Sequence, residues 1–358
     1  MGKKWLRLCL VVFLLITSLT GTGFALDPMH VYYLDVGQAE ATLLLGNDFT
    51  ILIDAGDRGE NDVIEHLQRL GVDSIDLFIL THPHADHIGQ AAKVLEIFAV
   101  DEVWMSGYEH STRLFEEVLD AILETDAYYY EPRTGEHLTF GELQLYVLNP
   151  ALIGTNLHAS NIVVRGVYGE VAFLFTGDAE TRNEKEMIQE GLPLAANILQ
   201  LGHHGSRTSS SLDFLLAVKP DVAIYSAGKD NSFGHPHAEV LNRLKILEIP
   251  TYGTDRNGTI VLETDGLGYI LYAETGKPLR EVGEARENRV ELNTASFTEL
   301  QRVRHIGPER AREIMALREV LPLRSVDDLR RVSGLGTKRI EEIKQQGLAY
   351  VKGVNEDN

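Results

Sequence analysis

The stretch Thr81-His82-Pro83-His84-Ala85-Asp86-His87-Ile88-Gly89 decides the fold, because it places four potential metal ligands within six residues. It directly follows the largely apolar run 75–80, which we predict to be a buried strand. Buried aspartate is rare unless it is paired or ligated, so core packing does not account for the pattern. In an extended loop His82 and His84 project to one side and can share a metal, while Asp86 and His87 can turn toward a second one. The stretch therefore predicts a metal site, with a solvated histidine-rich loop as the alternative.

The donor set follows from the composition. The single cysteine, Cys9, lies in the N-terminal segment that we exclude from the fold, so any metal must be held by histidine and carboxylate side chains. Imidazole nitrogens suit Zn²⁺, and carboxylates admit Mn²⁺ as well. We expect two divalent cations, with Zn²⁺ ahead of Mn²⁺.

Residues 1–25 are typical of a signal peptide. A basic start with Lys3, Lys4 and Arg7 precedes an apolar run of nine residues, 8–16, and small residues end at Ala25. That run is shorter than the ~20 residues of a bilayer span, although an uncleaved anchor is the alternative. We expect an exported, extracellular protein with no stable membrane association after cleavage.

Charge divides the chain into unlike parts. The net charge is −20, with +3 on the leader and +2 on residues 288–358, which leaves −25 on residues 26–287. An acidic body with a slightly basic tail indicates two modules with different roles. The acidic body is not suited to nonspecific nucleic-acid binding over its whole surface.

The order of elements predicts an α/β fold. Strands alternate with helices and end in polar loops, so we expect an αββα sandwich, two β-rich halves with helices outside, over residues 27–273. The predicted strands are 31–36, 41–45, 50–53, 75–80, 102–105, 161–164, 171–175, 197–201 and 222–225, and the predicted helices are 61–70, 90–98, 180–189, 212–218 and 238–247. A linker is expected at 274–288, followed by a small all-α domain at 289–352 with two similar units.

The loop at residues 82–87 resembles the HxHxDH signature of the metallo-β-lactamase superfamily, and three further motifs follow that pattern. The resemblance implies that Asp54 supports the metal loop from behind and that Asp178, in Phe175-Thr-Gly-Asp178, bridges both metals. It also implies that the pair His203 and His204 supplies one ligand to the second metal. We favour His203 as that ligand and assign His204 to the substrate. The implied ligand set is His82, His84, Asp86, His87, Asp178 and His203.

His158 is a further possible ligand. Many members of the superfamily carry a histidine shortly before the strand that leads to the bridging aspartate, and His158 lies 20 residues before Asp178. The particular branch that this chain resembles usually has asparagine and serine there, so both assignments stay open.

That branch is the hydrolase domain of ComEC-type DNA-uptake proteins. The phrases that resemble it are Leu34-Asp-Val-Gly-Gln-Ala-Glu-Ala41, Gly202-His-His-Gly-Ser206, Asn231-Ser-Phe-Gly-His-Pro-His237 and Thr254-Asp-Arg-Asn-Gly258. The resemblance implies a nuclease. We expect His235 to contact the phosphate or to protonate the leaving oxygen, with Asp86 and His204 as the other catalytic residues; a turn histidine without such a role is the alternative for His235.

The tail resembles a tandem helix-hairpin-helix domain of the ComEA type. Its hairpins are His305-Ile-Gly-Pro-Glu-Arg-Ala311 and Val332-Ser-Gly-Leu-Gly-Thr-Lys-Arg-Ile340, and His305 stands where relatives usually have glycine. Glycines let the backbone approach a phosphate, and the free N–H groups of the next helix bind it. We expect DNA as the partner of the tail; a helical protein-interaction module is the alternative. The expected DNA-binding residues are Gly307, Arg310, Gly334, Gly336, Lys338 and Arg339.

The resulting functional hypothesis is an exported nuclease or phosphodiesterase with a dinuclear metal site and a tail that binds DNA regardless of sequence. A metal-dependent hydrolase of small esters, such as phosphocholine esters or lactones, is the first alternative. A noncatalytic extracellular DNA-binding protein is the second.

Overall fold

The computed structural model describes residues 25–282, 290–323, 325–346 and 349–351. Residues 25–282 form two mixed β-sheets with helices on their outer faces. The strands are β1 (Met29–Tyr33), β2 (Thr42–Leu45), β3 (Thr50–Ile53), β4 (Ser74–Leu80), β5 (Ala99–Met105), β6 (Tyr128–Tyr130), β7 (His137–Phe140), β8 (Leu143–Asn149), β9 (Val163–Tyr168), β10 (Val171–Phe175), β11 (Ile198–Gln200), β12 (Val222–Tyr225), β13 (Thr251–Gly253), β14 (Ile260–Thr264), β15 (Tyr269–Ala273) and β16 (Pro278–Val282). One sheet has the order β16-β15-β14-β1-β2-β3-β4-β5-β6, and the other has the order β13-β12-β11-β10-β9-β8-β7.

The helices of this part lie between the strands along the chain. They are α1 (Asp62–Arg69), α2 (Ala85–Ile88), α3 (Ala91–Ile97), α4 (Arg113–Leu123), α5 (Thr181–Gln189), α6 (Leu212–Val218), α7 (Ala238–Ile246) and α8 (Thr254–Asn257). Side-chain caps fix two of their starts: Thr112 accepts from the backbone of Phe115, and Ser211 accepts from the backbone of Phe214.

Three apolar layers hold the sandwich together. The middle layer joins the two sheets and contains Ile79 of β4 and Phe173 of β10, both fully buried. One outer layer packs helices α1, α3 and α4 on the first sheet, and the other packs α5, α6 and α7 on the second. Burial of both sheet faces explains why β4 and β10 are almost continuously apolar. The predicted αββα architecture is confirmed.

The topology brings polar loops from both sheets to one edge. Strands β3, β4 and β5 run parallel in the first sheet, and β10, β11 and β12 run parallel in the second. The loop after β4 and the loop before β9 are joined by a 2.9 Å hydrogen bond from the backbone N–H of Ile162 to the carbonyl of Thr81. The loops after β10 and β11 are joined by another 2.9 Å bond, from the N–H of His203 to the carbonyl of Gly177. The histidine-rich loop therefore faces the loops that carry Asp178 and the 203–204 pair.

Several parts of the fold differ from the sequence prediction. Residues 278–282, which we placed in the linker, form edge strand β16 against β15. The prediction missed it because Pro278 and charged neighbours look unlike a strand, yet an edge strand tolerates proline, and Leu279 packs on the inter-sheet core. Helices α4 and α8 and strands β6 to β8 and β13 to β15 were also not predicted.

The predicted signal peptide lies outside the described residues except for Ala25. Within the described ranges, no helix has the length and hydropathy that crossing a bilayer requires.

The C-terminal module is helical, as predicted. It contains α9 (Phe297–Leu300), α10 (Pro308–Val320), a 3₁₀ helix (Val326–Arg331) and α11 (Thr337–Gln346), with a short parallel pair of β17 (Val290–Glu291) and β18 (Ala349–Tyr350). Its own apolar cluster includes Leu300, Ile314 and Ile343. Ser296 and Glu299 cap α9 reciprocally, as the sequence pattern indicates.

Candidate metal centre

Histidines from two loops form the first group of donors. Ligand atoms of His82, His84, His158 and Asp178 all lie within 4.8 Å of one another. Nε2 of His82 lies 3.4 Å from Oδ2 of Asp178, and Nδ1 of His84 lies 3.9 Å from the same oxygen. The ring of His158 lies 5.0 Å from that of His84. The structure thus brings His158 to the position of a third nitrogen donor.

The second group of donors consists of Asp86, His87 and His204, whose ligand atoms also lie within 4.8 Å of one another. Nε2 of His204 lies 3.3 Å from Oδ2 of Asp86. Oδ1 of Asp178 lies 3.2 Å from Nε2 of His87 and 3.9 Å from Nε2 of His204. This group therefore offers two imidazole nitrogens and a carboxylate.

Asp178 lies between the two groups. Its Oδ2 faces His82 and His84, whereas its Oδ1 faces His87 and His204. The side chain is 1% exposed, and neither oxygen has a hydrogen-bond partner in the described part of the chain. A carboxylate held in this way can bind one cation with each oxygen.

Several other buried atoms of the cluster also have no hydrogen-bond partner among the described residues: Nε2 of His87, Nε2 of His204 and Nδ1 of His158. Buried polar atoms are nearly always paired, and an unpaired one usually indicates a missing ion or water. The orphaned atoms are the nitrogen and oxygen donors that Zn²⁺ and Mn²⁺ accept. The residues therefore fit a pair of divalent cations.

Asp54 orients the histidine loop from behind. Its Oδ2 accepts a 2.7 Å hydrogen bond from Nδ1 of His87, and its Oδ1 accepts a 2.8 Å bond from the backbone of Thr81. Nδ1 of His204 lies 3.0 Å from the carbonyl of Ser226, to which it donates. Both rings therefore keep a proton on Nδ1, which makes Nε2 the nitrogen that a cation would bind after that nitrogen loses its proton.

Hydrogen bonds and a glycine fix the backbone around Asp178. Asn161 accepts from the N–H of Asp178 at 2.9 Å and donates to the carbonyl of Thr176 at 2.8 Å. Gly177 has a φ of 46°, and a Cβ there would lie 2.5 Å from Oδ1 of Asn161. Sequence analysis did not single out Asn161, because its role rests on contacts between distant loops.

The structure assigns the two neighbouring histidines differently from our expectation. Both have left-handed backbones, with φ of 53° at His203 and 55° at His204. The turn sends His204 inward, 1% exposed, beside Asp86 and His87. His203 lies in a more exposed group with His158 and Glu180, and its Nε2 is 3.5 Å from Oδ2 of Asp178. The geometry thus favours His204 as the donor of the second group.

His235 lies on the outer side of the second group and belongs to neither donor group. Its ring is 6.1 Å from that of His204, and its Nδ1 is 3.4 Å from Nε2 of Gln38. The orientation of the Gln38 amide is fixed by a second hydrogen bond. Its Oε1 accepts from the N–H of Gly228 at 3.0 Å, which turns Nε2 toward His235. Nδ1 of His235 therefore accepts, and its Nε2 carries the proton.

Burial and neighbouring charges shift the pKa values of the histidines in opposite directions. Burial, followed by the charge of His87, lowers the pKa of His82 to about 3. Burial also lowers the pKa of His87, but the carboxylates of Asp178 and Asp54 raise it by more, so it lies well above its ordinary value. Burial, followed by the charge of His204, lowers the pKa of His235 to about 4. His82 and His235 are thus neutral at neutral pH, whereas a cation at Nε2 of His87 must displace a proton.

Glu40 is a buried acid that sequence analysis did not assign to the site. It is 1% exposed, its backbone N–H donates to the carbonyl of Asp86 at 3.0 Å, and neither carboxyl oxygen has a hydrogen-bond partner among the described residues. Burial raises its pKa to about 8. Its position beside the metal loop became visible only in the fold.

In the C-terminal module, the predicted glycines lie at helix starts and turns. Gly307 is the N-cap of α10, Gly336 directly precedes α11, and Gly334 has a φ of 74°. His305, which stands where we noted that relatives usually have glycine, also has a positive φ, 64°. Lys338 is exposed at the start of α11.

The two arginines that we predicted to bind DNA, Arg310 and Arg339, also have structural contacts. Arg310 donates to the carbonyls of Ser333 at 3.1 Å and His305 at 2.6 Å, so it ties one hairpin to the other. Arg339 donates to the carbonyl of Gly334 at 2.7 Å. Their substitution would therefore disturb the fold as well as any phosphate contact.

Comparison with known proteins agrees with this geometry. A family model described as Metallo-beta-lactamase superfamily matches residues 34–229, and one described as Helix-hairpin-helix motif matches residues 286–347. ComE operon protein 3 of Bacillus subtilis (strain 168) is 35% identical over 203 residues, which make up 56% of this chain and 26% of that protein. Recombination protein 2 of Haemophilus influenzae is 32% identical over 243 residues, 65% of this chain and 29% of that protein.

A protein named Deoxyribonuclease, from Thioalkalivibrio sp. (strain K90mix), is 36% identical over 72 residues, 20% of this chain and 19% of that protein. The chain spans between a quarter and a third of the length of the first two relatives. The chain belongs to the metallo-beta-lactamase superfamily and carries a helix-hairpin-helix motif in its C-terminal part.

Proposed function

We propose that this protein is an exported, metal-dependent phosphodiesterase that cuts DNA. The observation that carries the proposal is the carboxylate of Asp178, whose two oxygens face separate groups of buried, unpaired donor atoms. Paired divalent cations are a common device for hydrolysing phosphodiesters. The mature protein would act outside the cytoplasm, as the leader-like residues 1–25 indicate.

We assign one cation to His82, His84 and His158 and the other to Asp86, His87 and His204, with Asp178 shared between them. Zn²⁺ is the first choice because imidazole nitrogens dominate, and Mn²⁺ is the second. When bound, the cations would polarise the scissile phosphate and acidify a water molecule for attack on phosphorus.

The protein's own groups prepare the site. Asp54 holds the ring of His87 in place, and the carbonyl of Ser226 does the same for His204. His235 keeps its proton on Nε2 because Gln38 donates to its Nδ1. We assign this N–H to a phosphate oxygen, which it would bind and orient.

DNA is the substrate that best unites the two modules. The relatives named Recombination protein 2 and Deoxyribonuclease match parts of this chain. The helix starts at Gly307 and Gly336, with Lys338 beside them, suit phosphate groups of a nucleic-acid backbone. Binding by the tail would raise the DNA concentration near the acidic hydrolase domain without new contacts there.

A nuclease assay on the full mature chain tests the proposal. Chelation should abolish cleavage of plasmid DNA, and Zn²⁺ or Mn²⁺ should restore it. Asp86→Ala should remove cleavage while DNA binding through the tail persists; Asp101→Ala, at an exposed position of β5, is the matched control. Cleavage that survives Asp86→Ala would sink the proposal.

A small-ester hydrolase is the second candidate. A cavity of about 210 Å³ is lined by His82 and, among others, by the apolar side chains of Leu80, Met105 and Phe115. It is smaller than the ~300–1,000 Å³ of typical ligand pockets and so suits one compact group. Turnover of chromogenic lactones or phosphocholine esters, without cleavage of any DNA, would favour this candidate.

A further inference from the structure

Three aromatic rings lead from the metal centre to the surface. The ring of His235 is stacked on that of His204, with centroids 6.1 Å apart and planes at 22°. The ring of Phe233 is stacked on that of His235 in turn, with centroids 5.7 Å apart and planes at 21°. Phe233 ends the series in solvent and is 63% exposed. A large apolar ring is thus held at the surface, connected to the second group of donors through the ring of His235.

The loop that carries Phe233 is braced. Oδ1 of Asn231 accepts from the N–H of His235 at 3.0 Å, and its Nδ2 donates to the carbonyls of His235 at 2.6 Å and Gly228 at 2.9 Å. Gln38 bonds to both ends of the same loop, at His235 and Gly228. A ring presented on a braced loop loses little conformational freedom when it binds a ligand.

Exposure alone does not make a binding site. Single apolar side chains such as Leu123 (82% exposed), Ile246 (77%) and Val320 (86%) lie on helices α4, α7 and α10 and need no functional explanation. Phe233 differs from them because it stacks on His235, which in turn stacks on His204, a donor of the second group. Phe233 therefore stacks directly on His235, the residue that we assign to a phosphate oxygen of the substrate.

We propose that Phe233 is a stacking platform for an unpaired nucleobase of the substrate. This inference rests on the proposed phosphodiesterase function. The body of the chain carries a charge of −25, so it cannot hold DNA by broad phosphate contacts. Stacking on an aromatic ring does not need positive charge and accepts every base. The base must be unpaired, because the faces of a base inside a duplex already stack on its neighbours.

A fluorescence measurement tests the platform without turnover. A short single-stranded oligonucleotide that contains 2-aminopurine is added to the full chain in chelator, where no strand is cut. We expect quenching by the wild type and by Phe233→Tyr, and loss of quenching with Phe233→Ala while tail-dependent binding persists. Ile246→Ala is the matched control for an exposed apolar side chain. Equal quenching by wild type and Phe233→Ala, or none by the wild type, overturns the platform.

A kinetic comparison separates this inference from the proposed function. Thymidine 5′-(4-nitrophenyl phosphate) carries a base, and methyl 4-nitrophenyl phosphate does not. Phe233→Ala should raise KM for the thymidine ester about 5- to 150-fold and leave the methyl ester unchanged. Equal effects on both esters would contradict the platform alone. Failure of the wild type to hydrolyse either ester would contradict the phosphodiesterase, and the quenching experiment would still decide on Phe233.

Discussion

At the scale of single residues, Asp178 is the side chain on which the metal centre depends. It is 1% exposed, its two oxygens face different histidines, and neither oxygen has a hydrogen-bond partner in the described ranges. A buried carboxylate without a partner is costly, so the native arrangement gains stability when cations bind to it. Without the Asp178 carboxylate, the two groups of histidines would lose the ligand that they share.

Replacement of Asp178 by asparagine is expected to remove the shared ligand. Bound metal should fall from about two cations per chain to one or fewer, and DNA cleavage should be lost with it. Elemental analysis of the reconstituted chain measures this, with circular dichroism to verify the fold. Asp230→Asn makes the same chemical change at an exposed position and should retain both cations. Full metal content in Asp178→Asn would refute the role of this side chain.

The histidines also predict a dependence on pH. The pKa of His87 is raised well above its ordinary value and that of His204 is raised, whereas that of His82 is lowered to about 3, so protons compete with a cation mainly in the second group. A falling pH supplies more protons and weakens binding there. Dialysis from about pH 8 to about pH 5.5 should therefore release the second cation first. Elemental analysis of the dialysed protein measures the metal that remains. Simultaneous release of both cations would contradict the claim that the two donor groups differ in their competition with protons.

At the scale of elements, the tight turn Gly202–Gly205 after β11 decides which histidine points inward. Left-handed backbones at His203 and His204 cost free energy, about 1–3 kcal/mol each, which the surroundings must offset. The N–H of His203 is held by the carbonyl of Gly177, and Nδ1 of His204 by that of Ser226. The strained turn is thus fixed by two loops, the one that carries Asp178 and the one that follows β12.

The turn leads to opposite predictions for neighbouring residues. His204→Ala should lower bound metal by about one cation per chain, because it removes a donor of the second group. His203→Ala should retain both cations and change the kinetics instead. Metal content and KM are measured on both variants. The reverse outcome, with metal lost only in His203→Ala, would restore our original assignment from the sequence.

The sequence predicted the site where its residues are contiguous. The potential ligands from His82 to His87 lie within one loop, so the local pattern is enough to indicate them. The αββα order follows from alternating strands and helices. The choice between His203 and His204 depended on backbone angles that the residues themselves do not reveal. Gln38 lies in a phrase that resembles the ComEC-type branch, but its role, like that of Asn161, depends on contacts with distant loops that a local pattern does not specify. Edge strand β16 was missed because only the neighbouring strand makes it extended.

At the scale of the whole molecule, the charge is divided between the modules. Residues 26–287 carry −25 and the tail carries +2, so association with DNA should depend on the tail. Contacts from helix starts reach the backbone and not the bases, which makes binding independent of sequence. Release of counterions then makes affinity fall steeply with salt.

Lys338 provides a test at this scale. Lys338→Ala should weaken binding to DNA of any sequence and reduce the slope of log affinity against log salt by about 1. Fluorescence anisotropy with two unrelated oligonucleotides measures both effects. Lys185→Ala, at an exposed position of α5 in the acidic part, should change neither. Equal loss of binding in both variants would mean that the tail is not the DNA-binding module.

The central claim is that two cations bind on either side of Asp178, and anomalous diffraction from crystals loaded with Zn²⁺ or Mn²⁺ tests it most directly. We predict two peaks, one beside His82, His84 and His158 and one beside Asp86, His87 and His204. A single peak, or peaks remote from Asp178, would contradict the account.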